Sequence, residues 1–131
     1  MNRSEFEAYL ECFNARDYKK VLSYFTDDIV LEFAGYTISG KEAFNRFYRF
    51  FHSYVNEKIF LHQFAGDDEN VIIDVAVRLE GKKALTSDVL KENGYERLAV
   101  VGQGDVVEIP QFIHYRMENG KFREIHCLIK E

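Results

Sequence analysis

Apolar residues in the first half of the chain recur at intervals of three and four positions, which is the spacing of an amphipathic helix. Two such faces are present, formed by Phe6, Tyr9, Leu10 and Phe13, and by Ala43, Phe44, Phe47, Tyr48 and Phe51. A Ser-x-x-Glu capping box precedes each face, at Ser4–Glu7 and at Ser39–Glu42. Between the two faces, Asp17 is placed to cap a short helix that carries Val21, Leu22 and Phe25.

The rest of the chain changes to the two-residue alternation that is typical of β-strands. Residues 58–64 and 71–79 are predicted to pair around a Gly-Asp-Asp-Glu loop. Residues 107–117 and 122–129 are predicted to form a second hairpin around Asn119-Gly120, a strong turn signal. Helices followed by antiparallel strands predict an α+β fold, with about three N-terminal helices packed on one face of a curved antiparallel sheet.

Residues 84–105 have the least regular pattern. Residues 88–93 fit a short helix that ends at Gly94, and the whole segment fits equally well a lid over an opening. No linker, repeat or low-complexity tract divides the 131 residues, so we expect one domain over residues 1–131.

Composition excludes several classes of protein. With 47% apolar and 30% charged residues the chain is not disordered, and its 17 basic and 22 acidic residues, interleaved, argue against binding to nucleic acid or an anionic membrane. The chain has no apolar run long enough to span a membrane and no apolar N-terminal stretch, so we expect a cytoplasmic protein. Cys12 and Cys127 are expected to be reduced thiols. No metal-ligand spacing or phosphate-binding loop occurs, so neither a metal nor another cofactor is expected.

Aromatic residues are unusually frequent, with 12 Phe and 8 Tyr but no Trp. These rings could fill the core, or they could line a pocket and stack on a flat apolar ligand. Composition alone leaves both interpretations open.

Three stretches near the start and one near the end carry a family resemblance. Residues 9–17, 24–32 and 39–44 resemble the beginning of a SnoaL-like polyketide cyclase or ketosteroid isomerase-like domain of the nuclear transport factor 2-like superfamily, and residues 115–125 resemble its final hairpin. The resemblance implies a cone-shaped barrel in which a curved sheet encloses a deep apolar pocket, and it implies homodimerisation through the sheet. This fold hosts isomerases, cyclases, dehydratases, epoxide hydrolases and accessory subunits, so it does not fix the activity.

The resemblance also assigns positions. Tyr9 stands where steroid isomerases place an oxyanion-donating tyrosine, Tyr48 matches the tyrosine that supports it, and Phe47 matches a pocket phenylalanine. The two acids of that chemistry are replaced, by Phe33 and Ile113. Phenylalanine and isoleucine neither accept nor donate a proton, so ketosteroid isomerisation by the family mechanism is not expected.

Two of the four histidines receive opposite assignments. His62 alternates with Phe60 and Phe64, which predicts that all three face inward, with His62 opposite Ile73. An imidazole in that position is a candidate general base, or else a core histidine bonded to a backbone carbonyl or a tyrosine. His52 lies away from the apolar face of its helix and is predicted to be at the surface.

The register of the final hairpin decides which residues face the pocket. A bulge at Gly120 would set Tyr115 opposite Arg123, and a plain two-residue turn would set Tyr115 opposite Glu124. We favour the bulge, which keeps Gln111, Ile113, Tyr115, Ile125 and Cys127 on the pocket side. His114 and His126 would then point outward on a face that also includes Phe112, Phe122 and Leu128. Such a face suggests a homodimer interface.

These observations predict a protein that binds an apolar, aromatic or polycyclic small molecule. The predicted ligand-binding residues are Phe25, Phe33, Phe47, Phe60, Phe64, Gln111, Ile113 and Tyr115. If the protein is an enzyme, we expect cofactor-free isomerisation, cyclisation or dehydration next to a carbonyl, in which Tyr9 and Tyr48 stabilise an oxyanion and His62 moves the proton. The alternative is a non-catalytic ligand-binding or accessory module.

Overall fold

The computed structural model describes residues 1–130, which form four helices and six strands. The helices are α1 (Arg3–Asn14), α2 (Tyr18–Ser23), α3 (Lys41–Tyr54) and α4 (Ser87–Glu92). The strands are β1 (Phe25–Phe33), β2 (Tyr36–Ser39), β3 (Val55–Gly66), β4 (Asn70–Gly81), β5 (Val106–Glu118) and β6 (Lys121–Ile129).

The six strands form one curved, unclosed sheet in the order β2-β1-β6-β5-β4-β3, and α1 and α3 pack against it. This arrangement confirms the predicted α+β fold. One strand pair differs from the expected antiparallel sheet, because β1 and β6 run parallel, with Leu31 beside Ile125. After β1 the chain passes through β2 and α3 to the far edge of the sheet. It then returns strand by strand, so that β6 reaches β1 in the same direction.

The helix starts agree only partly with the predicted caps. The capping box of α1 is formed by Asn2 and Glu5, so the predicted box at Ser4–Glu7 is wrong by two positions. Asparagine caps a helix as well as serine does, and Asn2 also has a glutamate three residues later. The predicted box at Ser39–Glu42 is wrong as well, since Ser39 ends β2 and α3 begins after Gly40 without a side-chain cap.

The cap of α2 is confirmed, because Asp17 accepts a hydrogen bond from the Lys20 amide at 3.2 Å. Phe25, however, does not belong to this helix and instead begins β1. The predicted apolar face of α1 is confirmed, since all four of its residues are buried: Phe6, Tyr9, Leu10 and Phe13.

A β-bulge at His62 changes which residues of β3 face inward. Leu61 pairs with Val75 and the next paired residue, Gln63, is opposite Asp74, so His62 is the extra residue. The predicted pairing of His62 with Ile73 is therefore wrong.

The final hairpin differs from both predicted registers. Asn119 and Gly120 have positive φ angles of 52° and 77° and form a two-residue turn. The bulge lies further along, at Arg123, so Tyr115 pairs with Ile125. The residues predicted to face the pocket still do so. The observed register differs from the predicted bulged register by two residues, and an even shift leaves each side chain on the same face of the sheet. Phe122 was placed on the outer face, and this is wrong, because it is fully buried on the other side of the bulge.

Many of the aromatic residues fill the core between the helices and the sheet. Phe6 packs against Tyr115 at a centroid distance of 5.2 Å, and Phe25 packs against Phe44 at 4.6 Å. The irregular segment 84–105 does contain the predicted short helix, α4, and an isolated bridge between Leu85 and Val101. Within residues 1–130, no helix has the length and apolar character that crossing a membrane requires.

Candidate functional site

A cavity of about 310 Å³ lies between the helices and the inner face of the sheet. Its floor and walls come from α1, α3 and all of the longer strands, and most of the lining groups are apolar. Exposed lining residues at one end mark its mouth, namely Ala34, Arg97, Ala99 and Ile129. The aromatic surplus therefore serves both of the purposes considered, since some rings fill the core and others surround a space.

Several of the predicted ligand-binding residues line this cavity: Phe33, Phe47, Gln111, Ile113 and Tyr115. Three others do not. Phe25 and Phe64 pack into the core, Phe64 at 5.8 Å from the ring of Phe6. Phe60 is exposed on the outer face of the sheet. Alternation from Glu57 turns Phe60 outward, whereas Phe64 lies beyond the bulge and turns inward.

The structure places His62 outside the cavity, so its predicted inward position is wrong. Its side chain is exposed, and it shares the outer face with Phe60. An imidazole in this position does not reach a ligand in the cavity, which removes the basis for its predicted role as a general base.

Tyr9 and Tyr48 both line the cavity. Burial is the main cause that raises the pKa of each hydroxyl well above its usual value, with nearby Glu57 adding to the effect. No hydrogen bond joins the two hydroxyls in the described part of the chain. The ring of Phe13 packs edge-on against Tyr48 at 5.3 Å. Both tyrosines are thus protonated hydroxyls in an apolar wall.

The structure buries a polar pair that the sequence patterns did not predict, and one of its two members lines the cavity. His52, predicted to be at the surface, is buried, and so is Glu57, which lines the cavity. The Nε2 atom of His52 lies 2.8 Å from Oε1 of Glu57, and its Nδ1 atom lies 2.8 Å from the hydroxyl of Tyr18. The helix pattern missed His52 because α2 and β3 cover the side of α3 that faces away from the sheet core.

A signal for Glu57 was present in the sequence. Val55, Glu57 and Ile59 alternate on the inner face of β3, but the predicted strand began at Lys58 and left the first two out. A carboxylate at an inward strand position, between two β-branched residues, is an exception to the usual burial of apolar groups and marks a candidate site.

Arg97 lies at the mouth of the cavity, in the loop that follows α4. Its backbone N–H donates to the Tyr36 hydroxyl at 2.9 Å, and its guanidinium lies 5.4 Å from the centre of the Tyr36 ring. The loop after α4 thereby forms part of the cavity wall.

The thiols and other metal-ligating groups are dispersed. Cys12 and Cys127 are both free and half-buried, and Cys127 lies in the cavity wall, where burial raises the pKa of its thiol to about 12. His126 is on the outer side, 3.1 Å from Glu32 Oε2. Among residues 1–130, no three His, Cys, Asp or Glu side chains come together as a metal site would require.

The fold has relatives among solved structures. The chain aligns with a putative polyketide cyclase from Pseudomonas putida (19% identity, TM-score 0.73, 95% of this chain and 88% of that one). It aligns with an epoxide hydrolase of the LEH-like type from Mycobacterium tuberculosis (16%, 0.71, 95% and 79%). A third match is a protein of M. tuberculosis in complex with estradiol-17β-hemisuccinate (16%, 0.68, 92% and 87%). A search of curated proteins gives no match.

The model of the SnoaL-like domain family matches residues 6–125, which is nearly the whole chain. The solved structures agree with that match in fold, and at these identities they show the fold alone. The resemblance seen in the sequence is therefore confirmed, and the chain belongs to the SnoaL-like domain family.

Proposed function

We propose that the protein binds a flat, apolar small molecule in its cavity and catalyses proton transfer next to a carbonyl group of that molecule, without a cofactor. The observation that carries this proposal is the cavity of about 310 Å³, whose wall combines aromatic rings with buried hydroxyls. Flat ligands stack on such rings. Isomerisation, aldol-type cyclisation and dehydration all fit, because each of them develops charge on the carbonyl oxygen.

Tyr9 is the proposed hydrogen-bond donor to that oxygen. Its raised pKa keeps the hydroxyl protonated over the whole working range of pH. A protonated phenol in a dry site stabilises a developing oxyanion. Tyr48, which is half-buried, supplies a second hydroxyl at the cavity. Gln111 and Tyr115 line the same cavity and are proposed to orient the ligand.

Two structural relatives support the ligand class. One is described as a putative polyketide cyclase, and another was crystallised with a steroid derivative. Polyketides and steroids are largely apolar and often polycyclic, as the cavity of this chain would require.

The proposal can be tested with 2-tetralone, a flat bicyclic ketone, and with tetralin, the hydrocarbon that lacks its carbonyl. We expect both to bind, as measured by ligand-observed NMR. Tyr9→Phe should weaken binding of 2-tetralone by about fivefold, the contribution of one hydrogen bond, and leave tetralin unaffected. Ile113→Trp, which fills the cavity, should weaken both by more than about tenfold. Val106→Trp, at an exposed position at the start of β5 outside the cavity lining, is the matched control and should change neither. Equal binding by all variants would contradict the proposal.

The alternative is a non-catalytic binding or accessory module. The observation that favours it is that Phe33 and Ile113, which replace the two acids of the isomerase mechanism, both line the cavity. Binding of 2-tetralone without any deuterium uptake from heavy water next to its carbonyl would support this alternative over the enzyme.

We also propose that the outer face of the sheet mediates homodimerisation. Ile72, Phe112 and Leu128 are 51%, 43% and 67% exposed on this face. Phe112 pairs directly with Leu128 across β5 and β6, so their side chains form one apolar patch. A second copy of the chain would bury this patch by the same contacts on both sides.

A further inference from the structure

A buried carboxylate and a buried imidazole meet at the wall of the cavity. Glu57, near the start of β3, is 7% exposed, and His52, in the last turn of α3, is 4% exposed. His52 Nε2 lies 2.8 Å from Glu57 Oε1. Buried charged groups are rare unless they are paired or have a function, so this pair needs an explanation.

Glu57 is the only acidic residue among those that line the cavity within residues 1–130. One of its oxygens, Oε1, is bonded to His52, and the other, Oε2, makes no hydrogen bond to the described part of the chain. This oxygen is accessible and not sealed in the core, and because Glu57 lines the cavity, a ligand there can approach it.

Tyr18 fixes the orientation of the imidazole from the other side. Its hydroxyl lies 2.8 Å from His52 Nδ1, and its ring stacks on the imidazole with centroids 5.9 Å apart. A carboxylate only accepts hydrogen bonds, so Nε2 carries the proton towards Glu57 and Nδ1 accepts from the Tyr18 hydroxyl. All three groups are then satisfied with a neutral imidazole.

The surroundings favour this neutral form. Burial is the largest effect and lowers the pKa of His52, while the hydrogen bond to Glu57 acts in the opposite direction. The positive charges of Arg16 and Lys82 also disfavour an imidazolium at this position.

We propose that Glu57 is the catalytic base of this site, with Oε2 as the reacting atom, and that His52 and Tyr18 are its positioning residues. This inference rests on the proposed function, because it assigns the group that moves the proton there. The role of base, predicted for His62 from the sequence, is thereby assigned to Glu57. Both residues belong to β3, but His62 is exposed and Glu57 lines the cavity.

The proposed step breaks a C–H bond next to the carbonyl of the ligand and forms an O–H bond at Glu57 Oε2. The electron pair of the C–H bond moves into the adjacent carbon–carbon bond, and the carbonyl electron pair moves onto oxygen. The product is an enolate, to which Tyr9 donates its hydrogen bond. In a β,γ-unsaturated ketone the enolate is a dienolate, and return of the proton from Glu57 to its γ-carbon completes an isomerisation without a further reactant. In a saturated ketone the proton, or a deuteron from heavy water, returns to the same carbon.

The test follows deuterium uptake next to the carbonyl of 2-tetralone in heavy water by NMR, together with the dissociation constant of 2-tetralone. Glu57→Gln keeps the shape of the side chain but removes the base. We expect it to slow catalysed uptake by at least about 100-fold and to change the dissociation constant by less than about threefold. If Glu57→Gln takes up deuterium at the wild-type rate, the inference is overturned and the proposed function stands. If the wild-type protein binds 2-tetralone without catalysing uptake, the proposed catalysis fails, and the inference fails with it.

The positioning role is tested at His52. We expect His52→Leu to slow uptake by about 10- to 100-fold at an unchanged dissociation constant, because a misplaced base loses its reactive geometry. His52→Gln should restore part of the rate, since its amide can donate to Oε1. Failure of His52→Gln to improve on His52→Leu would contradict a positioning role.

The chain offers a matched control pair on its surface. His126 and Glu32 form a histidine–glutamate contact of 3.1 Å outside the cavity. His126→Leu and Glu32→Gln should both leave uptake unchanged. Tyr18→Phe keeps the stacked ring and removes only the hydroxyl that bonds to the imidazole. It therefore tests whether Tyr18 positions the imidazole, even if His52→Leu does not fold. A wild-type uptake rate in Tyr18→Phe would overturn the role of Tyr18.

Discussion

Phe33 and Phe47 pack against each other in the cavity wall, with ring centroids 5.1 Å apart. Phe33 ends β1, at the position where the resemblance implies a proton-shuttling aspartate. Since a ring fills that place, an acid that serves the cavity must come from elsewhere in the wall. Glu57 reaches the same cavity from β3.

Replacing Phe33 with alanine should therefore affect both stability and binding. We expect Phe33→Ala to lower the free energy of unfolding by about 2 kcal/mol, less than for a fully buried ring, because Phe33 is half-buried. Binding of 2-tetralone should weaken as the stacking surface is lost. Urea unfolding and ligand-observed NMR measure the two effects. Phe60→Ala, outside the cavity, should leave binding unchanged, and an equal loss of binding in both variants would be inconsistent with this cavity.

The buried His52 should make stability depend on pH. The pKa of His52 is lowered on folding, so below about pH 6.5 the unfolded chain binds a proton that the folded protein excludes. The contribution of the neutral His52 to the free energy of unfolding is fully present above that pH. It is lost as the pH falls towards the pKa that His52 has in the folded protein. We expect the free energy of unfolding to decrease between pH 7.5 and 5.5, and His52→Gln to reduce this slope.

The control for the pH experiment is His62→Gln, which changes an exposed histidine. It should keep the wild-type slope. The pKa values of Asp28 and Asp67 are also lowered, by hydrogen bonds to Thr26 and to the backbone of Glu69 respectively. These two groups therefore also decrease the free energy of unfolding as the pH falls, but at lower pH than His52 does. The comparison is therefore made above pH 5.5. A wild-type slope in His52→Gln would argue against a buried neutral imidazole.

The start of α1 provides a direct comparison of two candidate caps. Asn2→Ala removes the side chain that accepts from the Glu5 amide at 2.8 Å, and we expect a loss of about 1 kcal/mol in the free energy of unfolding. Ser4→Ala lies within the helix and should cost less than about 0.5 kcal/mol. Urea unfolding of both variants measures the difference. A larger loss of free energy of unfolding in Ser4→Ala would indicate that Ser4, and not Asn2, caps the helix.

The proposed dimer predicts that a charge on the outer face separates the subunits. Leu128→Glu should convert the dimer into a monomer in analytical ultracentrifugation, because each subunit would bury an unpaired glutamate in the symmetric interface. Val100→Glu, at an exposed position in the segment between α4 and β5, is the control and should stay dimeric. A monomeric wild-type protein would contradict the proposal.

The sequence predicted most of the secondary structure because its apolar spacing is regular. The face of α1 and the core of both hairpins follow from periods of 3.6 and 2, and the family resemblance supplied the arrangement of these elements. Tyr9 and Tyr48 reached the cavity as the resemblance implied.

The errors concentrate where one residue breaks the period. The bulge at His62 leaves Phe64 facing inward and His62 facing outward, and alternation alone contains no sign of it. His52 is buried by Tyr18 and Glu57, residues of other elements, so no pattern within its own helix could show its environment. Such contacts depend on tertiary packing and were found only in the structure.

The parallel pairing of β1 with β6 has a consequence for how the cavity is made. It joins Leu31 to Ile125, which lie 94 positions apart. Within residues 1–130 it is the only strand pairing between the β1–β2 hairpin and the four strands β3–β6. Contacts between such distant segments form late in folding, because a long loop must first be closed. Leu31 and Ile125 also line the cavity, so the cavity is complete only when this strand pairing has formed. A ligand that binds in the cavity therefore stabilises the pairing of β1 with β6, because only the form with this pairing can bind it.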